Sequence, residues 1–168
     1  VGVLPFVSFS ESSEDERFAD GLTEELLNVL SRVKELRVAA RTSSFAYKKV
    51  HKNVIEIGRE LKVAVILEGS VRRNDIDDTI RVTAQLVETA TGTHLWSKTY
   101  DREYQDIFKI QDDIAASVVD ELQITLLGND RQNIRSRSSA SPEAMVANGM
   151  GQSELSRRTA TSMHDAIR

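Results

Sequence analysis

The chain has 168 residues, 22 Lys plus Arg against 26 Asp plus Glu (net −4), 40% hydrophobic and 29% charged residues and no cysteine. This balance suits one soluble domain with a small appendage and excludes wholesale disorder, disulfides and thiolate metal sites. The longest aliphatic run, Val63 to Leu67, is far short of the roughly 20 residues that span a bilayer. The sequence opens on Val1, already inside a strand-like segment and without a basic-then-apolar leader, as expected of a piece of a longer protein. From Val1 to Leu127 there are 16 basic and 22 acidic residues, whereas Arg37 to Arg73 alone carries nine basic against three acidic. That local cationic stretch reads first as a solvated surface and second as a face for an anionic ligand or acidic partner.

Val1-Gly2-Val3-Leu4-Pro5-Phe6 reads as a strand, with Pro5 favouring its end or the edge of a sheet. Apolar residues at Phe18, Leu22, Leu26, Leu30 and Val33 predict an amphipathic helix over about 15–33. Leu36 to Ala40 reads as a short strand, Arg41 to Asn53 as a loop with Phe45 and Tyr47 turned inward, and 54–62 as a second helix. Lys62 to Arg73 and Thr79 to Thr89 alternate as strands around the turn Asn74 to Asp78. After Thr91-Gly92, His94 to Tyr104 forms a third strand of the meander, containing Trp96. Apolar positions from Ile107 to Leu126 predict a helix over 105–127 that covers the sheet.

Gly128 to Pro142, with one Gly, four Ser and three Arg, reads as a linker, and Ser141-Pro142-Glu143-Ala144 as the start of a helical tail over 143–168. The expected fold is therefore α/β (α+β): a mixed five-stranded sheet in the order β-α-β-α-β-β-β-α, with helices packed on it and a helical tail.

His51, His94 and His164 are scattered, with no metal-ligand spacing, and the glycines form no phosphate-binding loop. Gly69-Ser70 lies in a continuing strand and lacks the second glycine of a nucleophile elbow. No cofactor, metal or catalytic set is expected, and no helix-turn-helix or aromatic-rich sheet motif points to nucleic acid. What survives is the carboxyl edge of the expected parallel pair. There Ser10, after the first strand, and Arg41, Thr42, Ser43 and Ser44, after the second, offer charge and hydroxyls to a small anion or carboxylate. The alternative is that these groups satisfy loop backbone.

The ordered segments Val3-Leu4-Pro5-Phe6, Phe18 to Leu26, Ala40 to Lys48, Ile57 to Leu61, Leu67 to Arg73 and Ala90 to Trp96 resemble a recurrent bacterial module. It is the α/β domain of adenylate or guanylate cyclase proteins with tetratricopeptide repeats and of CadC-like regulators. It is similar in fold to the TolB amino-terminal and FlgO-like domains. The resemblance covers residues 1 to about 127 and assigns no catalytic residues. It implies a non-catalytic sensory or protein-interaction module whose partners are proteins and neighbouring domains of the same chain, with a small anionic ligand and a homodimer also open. Residues 143–168 resemble the entry into tetratricopeptide repeats, without its usual aromatics at Met145, Val146, Met150 and Gly151. The competing implications are a portion of a class III cyclase and a periplasmic envelope-assembly domain. The resemblance places the module in the periplasm if a membrane helix precedes Val1 and in the cytoplasm otherwise.

Overall fold

A computed structural model describes the backbone of residues 1–138 and the side chains of residues 1–128. Val1–Thr125 forms one unit and a second begins at Leu126; the sheet and its packing belong to the first. The elements are β1 (Gly2–Val3), β2 (Val7–Ser8), α1 (Ser13–Ser31), α2 (Arg41–Phe45), α3 (Val54–Leu61), β3 (Val65–Asn74), β4 (Thr79–Glu88), β5 (His94–Glu103) and α4 (Ile107–Ser138).

The meander forms where β-branched alternation predicts it. β3 and β4 pair antiparallel from Val65↔Glu88 to Asn74↔Thr79, and β4 pairs antiparallel with β5. The first turn closes through the Asn74 side chain, which accepts from the Ile76 N–H, and Asp78 takes φ 46°. The second turn uses Gly92 at φ 72°, a left-handed conformation that glycine adopts without steric cost. At the other edge β1 and β2 both run parallel to β3, giving a mixed five-stranded sheet. Val3 pairs with Leu67 and Val7 with Ser70, so Leu4-Pro5-Phe6 faces only Glu68-Gly69 and the edge carries one extra residue. Pro5, which has no N–H to give, sits in this bulge.

The mixed sheet with packed helices is as expected, but its fifth strand is not. Leu36 to Ala40 is no strand, and the fifth comes from the bulge dividing the amino-terminal segment into β1 and β2. The 36–40 segment touches the edge through the Ala39 N–H on the Val1 carbonyl (2.9 Å) and the Val1 nitrogen donating to the Arg37 carbonyl (2.6 Å). Because β1 ends after two residues, there is no ladder for it to extend. Nor is 41–53 wholly irregular, since 41–45 forms α2 despite its low-propensity Thr-Ser-Ser run. Burial of Ser44 and the Arg41–Glu24 ion pair to α1 supply tertiary contacts that propensity does not register, and the Arg41 guanidinium 4.6 Å over the Phe45 ring adds a local i,i+4 contact. Finally, α4 continues through Gly128 to Ser138, beyond the expected end at 127. One helical glycine costs only about 1 kcal/mol relative to alanine, too little to stop a helix already propagating. The first part of the predicted linker is thus helical, and residues 139–168, with the expected tail, lie outside the described residues.

Strand alternation and register divide the sheet into two unlike faces. Leu67, Val71, Ile80, Val82, Ala84, Leu86 and Tyr100 are buried on one face, with Phe18, Leu22, Leu26 and Leu30 of α1 and Ile114, Val118 and Leu122 of α4 also buried. Truncating any of these leucines to alanine costs about 2–5 kcal/mol. Lys98–Glu121 and Arg102–Asp113 ion pairs tie β5 to α4, and the Gln111 side chain donates to the Phe18 carbonyl at 2.9 Å, tying α4 to α1. The opposite face is apolar and buried at Ile66 and Val87 and turns polar beyond them, with Glu68, Ser70 and Arg72 on β3 and Arg81, Thr83 and Gln85 on β4. Its polarity leaves a floor that solvent or a ligand can reach.

Candidate functional site

A cavity of about 950 Å³ stands on that polar face. Its floor is Glu68, Gly69, Ser70, Thr83 and Gln85; one wall is the bulged segment Leu4 to Ser10, and the other is the turn Tyr47 to Lys52 with Val54 and Ile57 of α3. The bulge is why the first wall exists, since it displaces Leu4-Pro5-Phe6 from regular pairing beside β3. The second wall is a tight turn in which Lys49 takes φ 61° and the Val50 N–H bonds the Tyr47 carbonyl at 3.1 Å.

Ion pairs hold the turn from both sides. Lys48 bridges Asp20 (2.6 Å) and Glu16 (3.2 Å) of α1, and Lys49 also reaches Glu16 at 3.0 Å. On the α3 side, Lys52 and the Tyr47 hydroxyl both donate to the Glu60 carboxylate, each at 2.5 Å. Hydrogen bonds from Lys49 and Lys48 hold the Glu16 carboxyl below its usual range, and those from Lys52 and Tyr47 do the same for Glu60. The Asp20 hydrogen bond raises Lys48, and the Glu60 carboxylate beside it raises the Tyr47 phenol. At the rim, Val7, Phe9 and Val50 are 56%, 64% and 44% exposed. The site therefore joins an apolar rim, a strapped cationic turn and a polar floor.

Of the candidate ligand residues Ser10, Arg41, Thr42, Ser43 and Ser44, Ser10 is the one that lines this cavity. Its N–H donates to the Ser8 hydroxyl and its own hydroxyl accepts from the Ser12 N–H at 3.0 Å, so it shapes the loop that leads into α1. Arg41 donates to Glu24 of α1 and lies over Phe45. Thr42 and Ser43 are exposed, and Ser44 is buried with its hydroxyl unpartnered among the described residues. The structure thus places Arg41 to Ser44 on α2 and Ser10 in the cavity lining. Sequence reasoning marked the Arg37 to Arg73 stretch as cationic but did not single out the Tyr47 to Lys52 turn or Glu68 within it. The signal that narrows the stretch to the turn is the cluster Lys48, Lys49 and Lys52 opposite the acids of α1 and α3. Among the described residues no group of three or more His, Cys, Asp or Glu is placed to hold a metal ion.

No protein-family model matches the chain. Over 144 residues it is 42% identical to a Rhizobium meliloti (strain 1021) protein named "Putative adenylate cyclase 3", a match covering 86% of this chain and 24% of that protein. The chain spans about a quarter of that relative. Among solved structures it is similar to PelC of the Paraburkholderia phytofirmans dodecamer (18% identity, 73% of this chain and 86% of that one, TM-score 0.51). Lipoprotein GNA1162 of Neisseria meningitidis gives 15% identity, 74% and 96% coverage and TM-score 0.51. TolB of Acinetobacter baumannii gives 13% identity, 76% and 28% coverage and the same TM-score. These likenesses establish the α/β fold alone. Among the described residues no helix is long and apolar enough to cross a membrane.

Proposed function

We propose that residues 1–127 are a non-catalytic sensory and protein-interaction module of a bacterial signalling protein. The observation that carries this reading is the cavity with exposed Val7, Phe9 and Val50 at its rim, since side chains of this size left in water around a concave polar floor are the composition of a binding surface. The 42% identity with a protein named as an adenylate cyclase, over only 24% of that protein, supports placement of the module beside a cyclase output domain. In this reading 128–142 connects the module to a following tetratricopeptide-like region from 143, and its partners are proteins and neighbouring domains of the same chain. Ser10 and Arg41 to Ser44 remain a proposed anion-binding group at the α1–α2 edge, subordinate to the cavity.

Deleting residues 1–127 from the full-length parent tests the proposal. Cross-linked partners and the parent's signalling output should both change on deletion, and unchanged partners with unchanged output would overturn it. The cyclase name favours a second reading, in which this segment contributes to cyclic-nucleotide synthesis. Magnesium- or manganese-dependent conversion of ATP or GTP by purified 1–168 would establish that reading against ours.

A further inference from the structure

We propose that the cavity over Glu68 receives a basic side chain, lysine or arginine, of an extended partner polypeptide. The inference rests on the interaction-module reading and names what that module grips. It starts from charge. Three lysines line the cavity, but each is already engaged: Lys48 by Asp20 and Glu16, Lys49 by Glu16, and Lys52 by Glu60. Glu11 and Glu68 also line it, and among the described residues neither forms an ion pair or side-chain hydrogen bond. Within the lining the formal charges balance, Lys48, Lys49 and Lys52 against Glu11, Glu16 and Glu68, but the lysines are turned to Asp20, Glu16 and Glu60, which leaves Glu11 and Glu68 as the lining carboxylates without an ionic partner among the described residues. Nearby, Arg81 is held by Asp101, and Arg72 lies 5.3 Å over the Phe9 ring, outside the lining. The unpaired charged groups of the lining are carboxylates, so the cavity favours a cation at Glu68.

The setting of Glu68 defines the rest of the ligand. It is half-buried on β3, faces Gln85 across the β3–β4 register, and has Ser70 and Thr83 beside it on the floor. A partly desolvated carboxylate attracts a cation more strongly than one in open water. Phe6, Val50 and Ile57 supply walls against which the aliphatic stem of a lysine or arginine packs while its head reaches the carboxylate. The polypeptide character follows from β2. Val7 and Ser8 line the same cavity, and among the described residues β2 pairs with β3 alone, so its outer backbone edge is open to an added strand. A partner chain can bond to that edge and place a side chain in the cavity at once, which a free amine cannot do.

Amide chemical-shift titration of the 168-residue chain tests this, with acetyl-Val-Lys-Val-amide, its norleucine and glutamate counterparts, and n-pentylamine as probes. The lysine peptide should shift the amides of Glu68 to Ser70 and Thr83 to Gln85, bind more weakly as salt rises, and lose about tenfold or more in affinity in Glu68→Gln. The norleucine and glutamate peptides should not displace it, and pentylamine should bind more weakly than the peptide. Equal binding of the norleucine peptide to the wild-type chain would overturn the inference without requiring any variant to fold. Shifts confined elsewhere, or undiminished affinity in a folded Glu68→Gln, would overturn it too, and pentylamine binding as tightly as the peptide would replace the polypeptide by a free amine. If deleting 1–127 from the parent loses partners while lysine and norleucine peptides bind alike, the interaction module stands and this inference alone fails.

Discussion

The ring of Phe6 lies over the bare α-carbon of Gly69, so closely that a methyl group there would overlap both the ring and the Thr83 carbonyl oxygen. Phe6 ends the bulge that forms one cavity wall, and Gly69 is part of the floor, so this contact joins the two. Gly69→Ala should destabilise the domain by about 1–3 kcal/mol or more, because the carbonyl is backbone and cannot turn aside. A drop in the urea midpoint with an unchanged slope is the expected measurement. Stability equal to wild type would show that the bulge can shift outward.

Thr23 holds the same bulge from the other side. Its buried hydroxyl accepts the Phe6 N–H at 3.0 Å and donates to the Ala19 carbonyl at 2.8 Å. Thr23→Val keeps the shape but leaves that N–H unpaired, and should cost about 1–3 kcal/mol. Thr23→Ser, which keeps the oxygen, should retain most of the stability in the same denaturation series.

The meander and the three long amphipathic segments were legible because their period is written in side chains: Ile80, Val82, Ala84 and Leu86 alternate, and Leu22, Leu26 and Leu30 repeat at helical spacing. The edge was not, because a one-residue bulge and a two-residue strand carry no period. Val38 has strand propensity, but the segment's backbone bonds to the edge, at Ala39 and Arg37, both go to Val1, so pairing failed for want of a partner strand. Of the ligand residues named from the sequence, Ser10 is the one that lines the cavity. Placing Arg41 beside it assumed that two parallel strands end side by side, and without a strand at 36–40 that assumption does not hold. Glu68 looked like an ordinary strand residue, and only the lysine pairings around it show that its charge is unmatched.

Stability should fall in acid by a route traceable to the cavity turn. Glu16 and Glu60 have folded-state values below the ordinary 4.5, held there by the lysines on the turn. A depressed carboxyl contributes stability that is present above its unfolded value and is lost as pH falls through its folded value. The urea midpoint should therefore hold through neutral pH and decline below about pH 4.5, with a shallower decline in Glu16→Gln. An identical slope in that variant would remove Glu16 from the account.

At the alkaline end the informative group is Tyr100. Burial pushes its phenol up to about 12, with the Glu121 charge adding to the rise, and its hydroxyl has no hydrogen-bond partner among the described residues. A raised value means the neutral phenol favours the folded state, so its contribution is complete below the ordinary 10 and is lost as pH rises toward 12. Phenolate absorbance should show a late-titrating tyrosine that disappears in Tyr100→Phe. The substitution should also flatten the loss of stability over that window, and retention of the late step would assign it to another tyrosine.

Arg41 decides between the two binding proposals. Its guanidinium pairs with Glu24, and the two side chains are 58% and 48% exposed, a setting in which an ion pair contributes about 0.2–1 kcal/mol. Arg41→Ala should thus change stability by less than about 1 kcal/mol. For an anion to use Arg41 it must first compete with Glu24, so acetate should perturb the 41–45 amides more in Glu24→Gln than in the wild-type chain, and not at all in Arg41→Ala. If Ser10 responds together with 41–45, the two segments act as one anion site. If acetate moves neither segment in Glu24→Gln, where the guanidinium has lost its carboxylate partner, the anion reading fails and the cavity over Glu68 is left as the binding surface.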